Sequence, residues 1–109
     1  MATTYKVLGQ SNPSATTATT LYTVPAATQT IVSTITVCNQ AATAGTYRVA
    51  VRIAGAALAA AQYVAYDVSL PGNATDTLTL GVTLGATDVI TVYASSANFS
   101  FNAYGSEIS

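Results

Sequence analysis

The sequence lacks histidine and tryptophan, and it contains a single cysteine. Histidine performs much of general acid–base catalysis, and zinc sites are built from clusters of histidine and cysteine. Charged residues make up 6% of the chain, against about 25% in an average domain. Because most catalytic and metal-binding side chains are scarce, we predict a protein that is not an enzyme and that holds no metal or other cofactor.

The few charged residues are scattered singly along the chain, and the formal net charge is −1. The acids are Asp67, Asp76, Asp88 and Glu107, and the cations are Lys6, Arg48 and Arg52. Three cations neutralise few phosphates, and phosphate neutralisation dominates nucleic-acid affinity. No apolar run approaches the roughly 18–20 residues of a membrane-spanning helix. We therefore predict neither a nucleic-acid partner nor a membrane partner.

A lone cysteine cannot form a disulfide within the chain, which excludes a disulfide-rich secreted scaffold. Cys38 ends an apolar run that begins at Ile31. Free cysteine in such surroundings behaves as a small hydrophobic side chain. We expect Cys38 to be buried and unreactive.

Apolar and small polar residues alternate with a period of two over most of the chain, which is typical of β-strands. Turn residues such as Pro71, Gly72 and Asn73 separate these runs. The predicted strands are Tyr5–Leu8, Leu21–Val24, Thr30–Cys38, Tyr47–Ile53, Gln62–Ser69, Thr77–Leu84, Val89–Ala94 and Asn98–Tyr104. Eight short strands predict an all-β fold, a single-domain antiparallel β-sandwich of jelly-roll or immunoglobulin-like topology.

The whole chain, residues 1–109, is predicted to be one domain with an extended N-terminal segment of about residues 1–20. Within it, Ser11–Thr20 has no bulky apolar side chain. This stretch has little apolar area to bury, so it is either a surface loop or an arm that lies on a neighbouring subunit. Deletion of residues 2–20 is expected to leave a folded sandwich but to weaken assembly.

Two arginines and two tyrosines are the candidate interface residues. Arg48 and Arg52 are four residues apart on one predicted strand, so they share a face. They either keep that face soluble or pair with a carboxylate or carbonyl of a neighbouring subunit. Tyr63 and Tyr66 fall on opposite faces of a regular strand, unless a bulge intervenes. Tyrosine suits both protein interfaces and stacking on sugars.

The acids Asp67 and Asp76 flank the predicted turn at Pro71 and would approach one another across a hairpin. A calcium ion takes six to eight oxygen ligands, so two carboxylates alone make an incomplete site. The alternative is that each carboxylate caps a turn, which is a common use of aspartate.

Several segments together resemble small virion structural proteins of tailed bacteriophages, and they are similar to those of phages that infect marine cyanobacteria. The resemblance runs from about Tyr5 to the end of the chain. It is carried by Leu21–Ala26, Ile31–Asn39, Tyr47–Arg52, Thr87–Ser95 and Phe101–Ile108, in that order. It implies a β-sandwich subunit of an oligomer in the virion, without catalytic residues.

The low charge and the hydrophobic fraction of 50% fit a subunit whose surface is largely covered by partners. We expect a homo-oligomer, most simply a trimer, made in the host cytoplasm and built into the virion. Its predicted role is capsid decoration, in contact with the major capsid protein or other virion proteins. The alternatives are a neck, tail or fibre subunit, and a carbohydrate-binding module for host attachment, which would need an exposed patch of tyrosine with asparagine or aspartate.

Overall fold

The computed structural model describes residues 2–109, which form nine β-strands in two antiparallel sheets. The strands are β1 (Thr3–Ser11), β2 (Thr19–Thr23), β3 (Gln29–Asn39), β4 (Gly45–Arg52), β5 (Tyr63–Leu70), β6 (Ala74–Leu78), β7 (Val82–Leu84), β8 (Val89–Ala94) and β9 (Phe99–Ile108). Two 3₁₀ turns, Ile53–Gly55 and Ala60–Gln62, lie between β4 and β5. The all-β sandwich predicted from the alternating pattern is confirmed.

The strand order is that of a jelly roll. The first sheet has the order β1-β9-β3-β6, with β7 also paired to β3, and the second sheet has the order β2-β8-β4-β5. Because β6 and β7 both lie beside β3, they act as one interrupted strand. Strands β1 to β4 then alternate between the sheets, and the chain forms the two Greek keys that define a jelly roll.

The core lies between the sheets and is built from the inward side of each alternating pattern. Phe99 and Phe101 from β9 meet Tyr47 from β4, with ring centroids 6.1–6.5 Å apart. All three side chains are at most 1% exposed. Smaller buried residues fill the space around the rings, including Val24, Val32, Ile35, Val37, Val49, Leu70, Ile90 and Val92.

Strand β1 is longer than predicted and is an integral part of the first sheet. It pairs with β9 from Thr3 opposite Ile108 to Ser11 opposite Phe101. The extended N-terminal segment expected from the sequence is therefore replaced, over its first half, by an edge strand. Its polar sequence hid this because an edge strand needs backbone partners and only partial burial.

The connection between β1 and β2 lies against its own chain. The Asn12 side-chain amide donates hydrogen bonds to the carbonyls of Ala97, at 3.0 Å, and Phe99. The Thr16 N–H donates to the carbonyl of Ala94 at 2.8 Å. Within this chain the stretch is held as a surface loop, and an arm on a neighbouring subunit stays a prediction.

Two tyrosine hydroxyls join the sheets across the interior. Tyr47 of β4 donates to Asp76 of β6 at 2.8 Å. Near the opposite side of the sandwich, Tyr22 of β2 donates to Glu107 of β9 at 2.5 Å. Lys6 also contacts Glu107, with an N–O distance of 2.8 Å. Each sheet is thus tied to the other by directed contacts as well as by apolar packing.

These contacts shift the pKa values of their members. Burial, together with the bond to Glu107, raises the pKa of Tyr22 from 10.0 to about 12. Burial and the bond to Asp76 raise the pKa of Tyr47 as well. The bonds from Lys6 and Tyr22 lower the pKa of Glu107 below its usual 4.5. Both tyrosines are therefore held as neutral donors and Glu107 as an ionised acceptor.

Cys38 does not lie in the core, so the expectation of burial was wrong. Val37 and Asn39 on either side of it are fully buried, and side chains alternate along a strand. Cys38 therefore points out from β3, between Thr75 and Ser100, and is half-buried.

Candidate functional site

The charged side chains are held by partners within the chain. Arg48 pairs with Asp67, and Lys6 pairs with Glu107. Asp88 accepts the N–H groups of Ala54 and Gly85 at 2.9 Å each. Asp76 accepts from the Tyr47 hydroxyl, and Arg52 donates to backbone carbonyls. Among residues 2–109, no three acidic or cysteine side chains lie close enough to hold a metal ion.

Arg48 forms a bidentate pair with Asp67 on the outer face of the second sheet. Its Nε donates to Oδ1 at 2.6 Å, and an Nη donates to Oδ2 at 3.3 Å. Its guanidinium carbon lies 4.3 Å from the ring centroids of both Tyr66 and Tyr93. The hydrogen bond to Asp67 raises the pKa of Arg48 further above its usual value. The arginine is thus fixed by one carboxylate and by two aromatic faces.

The pairing of β4 with β5 explains why these side chains meet. The register steps from Tyr47 opposite Val68 to Val49 opposite Ala65, which inserts an extra residue into β5. Asp67 sits in this bulge with φ 49°, in the left-handed region that short polar residues tolerate. A second step between Val49 and Ala50 adds another residue to β5.

Strand β5 contains bulges, so the exception allowed for Tyr63 and Tyr66 in the sequence prediction applies. Tyr63 and Tyr66 lie on the same face, with ring centroids 4.9 Å apart and planes at 82°. Tyr63, Tyr66 and Tyr93 therefore form one group around Arg48, which we call the tyrosine cluster. Regular alternation gives opposite faces for Tyr63 and Tyr66, and the sequence has no glycine in β5 to mark the bulge.

Arg52 holds the alanine-rich loop, residues 53–62, over the outer face of the second sheet. Its Nε donates to the carbonyl of Ala56 at 2.7 Å, and an Nη donates to that of Gly55 at 2.8 Å. A further contact of 3.4 Å joins Arg52 to the Thr91 hydroxyl. Arg48 and Arg52 thus have carboxylate and carbonyl partners within the chain, and the predicted contact to a neighbouring subunit stays a prediction.

The loop and the tyrosine cluster enclose an open groove. One part, of about 550 Å³, is lined by Leu58, Ala59, Ala60, Tyr63 and Tyr66. A second part, of about 220 Å³, shares Leu58 and Tyr63 and reaches Arg48 and Tyr93. Tyr66 is 57% exposed. This groove is apolar with a few polar groups, which is the usual composition of a small-molecule site.

Asp67 and Asp76 are not brought together, and the idea of a shared calcium site is wrong. The turn at Pro71 carries the chain from β5 in the second sheet to β6 in the first. It is a crossing between sheets and not a hairpin. Asp67 binds Arg48 on the outside, whereas Asp76 accepts from Tyr47 on the inside.

The outer face of the first sheet is a second candidate surface, and sequence analysis missed it. Its outward positions follow from the alternation and registers of β1, β9, β3, β6 and β7. None of these outward strand residues is charged, since Lys6, Asp76 and Glu107 alternate to the inside. Tyr5, Val7 and Ile31 are 83%, 48% and 42% exposed there. We call this surface the neutral face.

The neutral face mixes large apolar groups with hydroxyls and amides. The strand register places Tyr5 and Ile31 on either side of Ser106, and Val7 beside Tyr104. Its other outward residues include Gln10, Gln29, Thr34, Thr36, Cys38, Thr75, Thr77, Thr83, Ser100 and Asn102. The sequence signal for this face was the pair Tyr5 and Val7, two large apolar side chains two residues apart, which lie on the same side of a strand.

Comparison with protein-family models, with curated proteins and with solved structures gives no significant match. No helix among residues 2–109 has the length and apolar character to cross a membrane.

Proposed function

We propose that this protein is a non-enzymatic structural subunit of a tailed-phage virion, a homotrimer that decorates the head. The observation that carries the proposal is the neutral face, a complete sheet surface without charge that exposes Tyr5, Val7 and Ile31. The occupant we assign to it is another copy of this chain. Trimers joined in this way would decorate the major capsid protein.

The chemistry of the neutral face favours burial against a different, uncharged patch of the next copy, because a ring of three subunits needs a contact between unlike surfaces. Charged groups are expensive to remove from water unless they are paired, and interface centres are depleted in charge and enriched in tyrosine. A surface without charge enters such a contact without electrostatic repulsion. Threonine, serine and asparagine side chains supply hydrogen bonds that can be satisfied across the contact.

The rest of the molecule fits a structural role. The charged side chains are engaged within the chain, and two hydroxyl–carboxylate contacts tie the sheets together. Jelly rolls form viral capsid and lectin domains, which supports the proposal as an analogy of fold only. The same analogy keeps a neck or tail position open as the alternative location.

The first experiment measures the oligomeric state by light scattering coupled to size-exclusion chromatography. The parent protein is expected at three times the 11.0 kDa chain mass. Ile31→Lys places a charge in the neutral face and is expected to give monomers. Val64→Lys on β5, a position of similar exposure at 47%, is the matched control and should remain trimeric. A parent that is monomeric at micromolar concentration would refute the proposal.

A second experiment uses Cys38 as a native probe of the same face. Because Cys38 points out from β3, a maleimide should label it more slowly in the trimer than in monomeric Ile31→Lys. The slow rate should persist in purified particles. Equal labelling rates in both proteins would show that copies do not meet through this face.

A further inference from the structure

The seven tyrosines differ in what their hydroxyls do. Tyr22 and Tyr47 donate to half-buried carboxylates inside the sandwich. Within the part of the chain that the structure describes, the hydroxyls of Tyr63, Tyr66 and Tyr93 make no side-chain hydrogen bond. The tyrosine cluster therefore offers both aromatic area and free polar tips on one exposed surface.

We propose that the tyrosine cluster and the groove beside it bind a neutral saccharide. This activity goes beyond the structural role and does not rest on it, because it uses the outer face of the opposite sheet. A subunit held through the neutral face would present this groove away from its trimer contact.

The shape of the groove suits one sugar ring at a time. The rings of Tyr63 and Tyr66 stand at 82° and form two walls of a corner, with Leu58, Ala59 and Ala60 along the remaining side. A pyranose has a face of C–H groups that packs on an aromatic ring and a rim of hydroxyls that seeks hydrogen bonds. Its size is compatible with a cavity of about 550 Å³.

The electrostatics of the groove select a ligand without charge. Arg48 and Asp67 cancel one another through their bidentate contact. The Asp67 side chain remains 45% exposed, so its oxygens still have lone pairs that accept from sugar hydroxyls. An anionic sugar would meet an Arg48 that is already paired with Asp67. A cationic ligand would meet ring faces of Tyr66 and Tyr93 that Arg48 already covers.

The structure also makes the site rigid before a ligand arrives. Arg48 lies between Tyr66 and Tyr93 and fixes their ring positions. Arg52 and Gln62 fasten the loop through hydrogen bonds to the carbonyls of Ala56, Gly55 and Ala57. A preformed site loses less conformational freedom on binding, which favours recognition of a weakly held ligand such as a sugar.

The experiment is affinity electrophoresis of the native protein in gels that contain one of three neutral polysaccharides, dextran, galactomannan or xyloglucan, with a gel that contains anionic alginate as the comparison. At least one is expected to retard the parent protein. Tyr66→Ala should weaken binding up to about tenfold, since an aromatic packing contact contributes about 0.5–1.5 kcal/mol. Tyr66→Phe should retain much of the retardation because it keeps the ring.

Two further variants separate binding from folding. Ala60→Glu adds bulk and charge at an exposed loop position of the groove and should abolish retardation while the thermal midpoint is unchanged. Leu80→Ala, at an exposed position between β6 and β7 that belongs neither to the groove nor to the neutral face, is the control and should bind like the parent.

The proposal is overturned if no neutral polysaccharide retards the protein, or if Tyr66→Ala and Ala60→Glu migrate like the parent. Retardation by alginate alone would also overturn it, since that polymer is anionic. If Ala60→Glu instead blocks attachment to particles, the groove is a protein contact and the saccharide assignment is wrong.

Discussion

Replacement of Tyr47 by phenylalanine tests whether the hydroxyl–carboxylate contacts hold the two sheets together. The change removes one oxygen and keeps the ring that packs on Phe99 and Phe101. It therefore leaves almost no cavity, and the measured loss of stability reports the hydrogen bond to Asp76.

The magnitude follows from the nature of this bond. A hydrogen bond to a charged group contributes about 1.5–3 kcal/mol. Asp76 is half-buried, so water can partly replace the lost donor, and we expect the lower end, about 1.5 kcal/mol. For a domain of this size, that corresponds to a fall of about 5–10 °C in the thermal midpoint.

The assay is urea unfolding followed by circular dichroism at pH 7, for Tyr47→Phe, Asp76→Ala and the double variant. A coupling energy of about 1 kcal/mol or more is expected, because either single change removes the same contact. Tyr104→Phe, on the outside of β9, is the control and should lie within about 0.5 kcal/mol of the parent. A Tyr47→Phe loss as small as that of the control, or costs that simply add, would refute the reasoning.

Two other predictions concern the Tyr22 contact and the first strand. Folding lowers the pKa of Glu107 below 4.5, so its contribution is present above that pH and is lost as the pH falls through the folded value. Folding raises the pKa of Tyr22 from 10.0 to about 12, so its contribution is complete below pH 10 and is lost as the pH rises toward 12. Unfolding free energies measured across this range should show a plateau between about pH 5 and 10 that Tyr22→Phe lowers; an unchanged profile in that variant would contradict the assignment. Deletion of residues 2–11 should abolish cooperative unfolding, in contrast to the folded sandwich expected from the sequence, because it removes the strand that pairs with β9 from Phe101 to Ile108; retention of the parent β-type circular dichroism signal and midpoint would contradict this.

The alternation of residue types was sufficient to predict the sandwich. Apolar residues such as Val49 and Val92 recur at every second position of their strands. The β-strand period and the inward side of each strand could therefore be predicted without knowledge of the neighbouring strands. The strand order could not be predicted, because the pairing of β1 with β9 joins the two ends of the chain through backbone hydrogen bonds. Such bonds leave almost no trace in side-chain pattern.

The candidate site was also predictable from the sequence only in part. The scarcity of charge correctly drew attention to Arg48 and Arg52, and a shared strand face follows from their spacing. Their partners within the chain were not predicted, since the bulge that brings Asp67 beside Arg48 has no sequence mark; a contact of either arginine to a second subunit stays a prediction. The neutral face was missed because it is defined by the absence of charge on one side of five strands, and the strand registers are needed to bring those sides together.

The most direct test of the structural role is a cryo-electron microscopy map of the intact particle, with the subunit identified by mass spectrometry of purified virions. We predict trimers on the outside of the head, with copies joined through Tyr5 and Ile31 of the neutral face and the tyrosine cluster open to solvent. Density at the neck or tail would move the subunit to the alternative location. Absence of the chain from purified particles, or its presence with the neutral face uncovered, would contradict the proposed function.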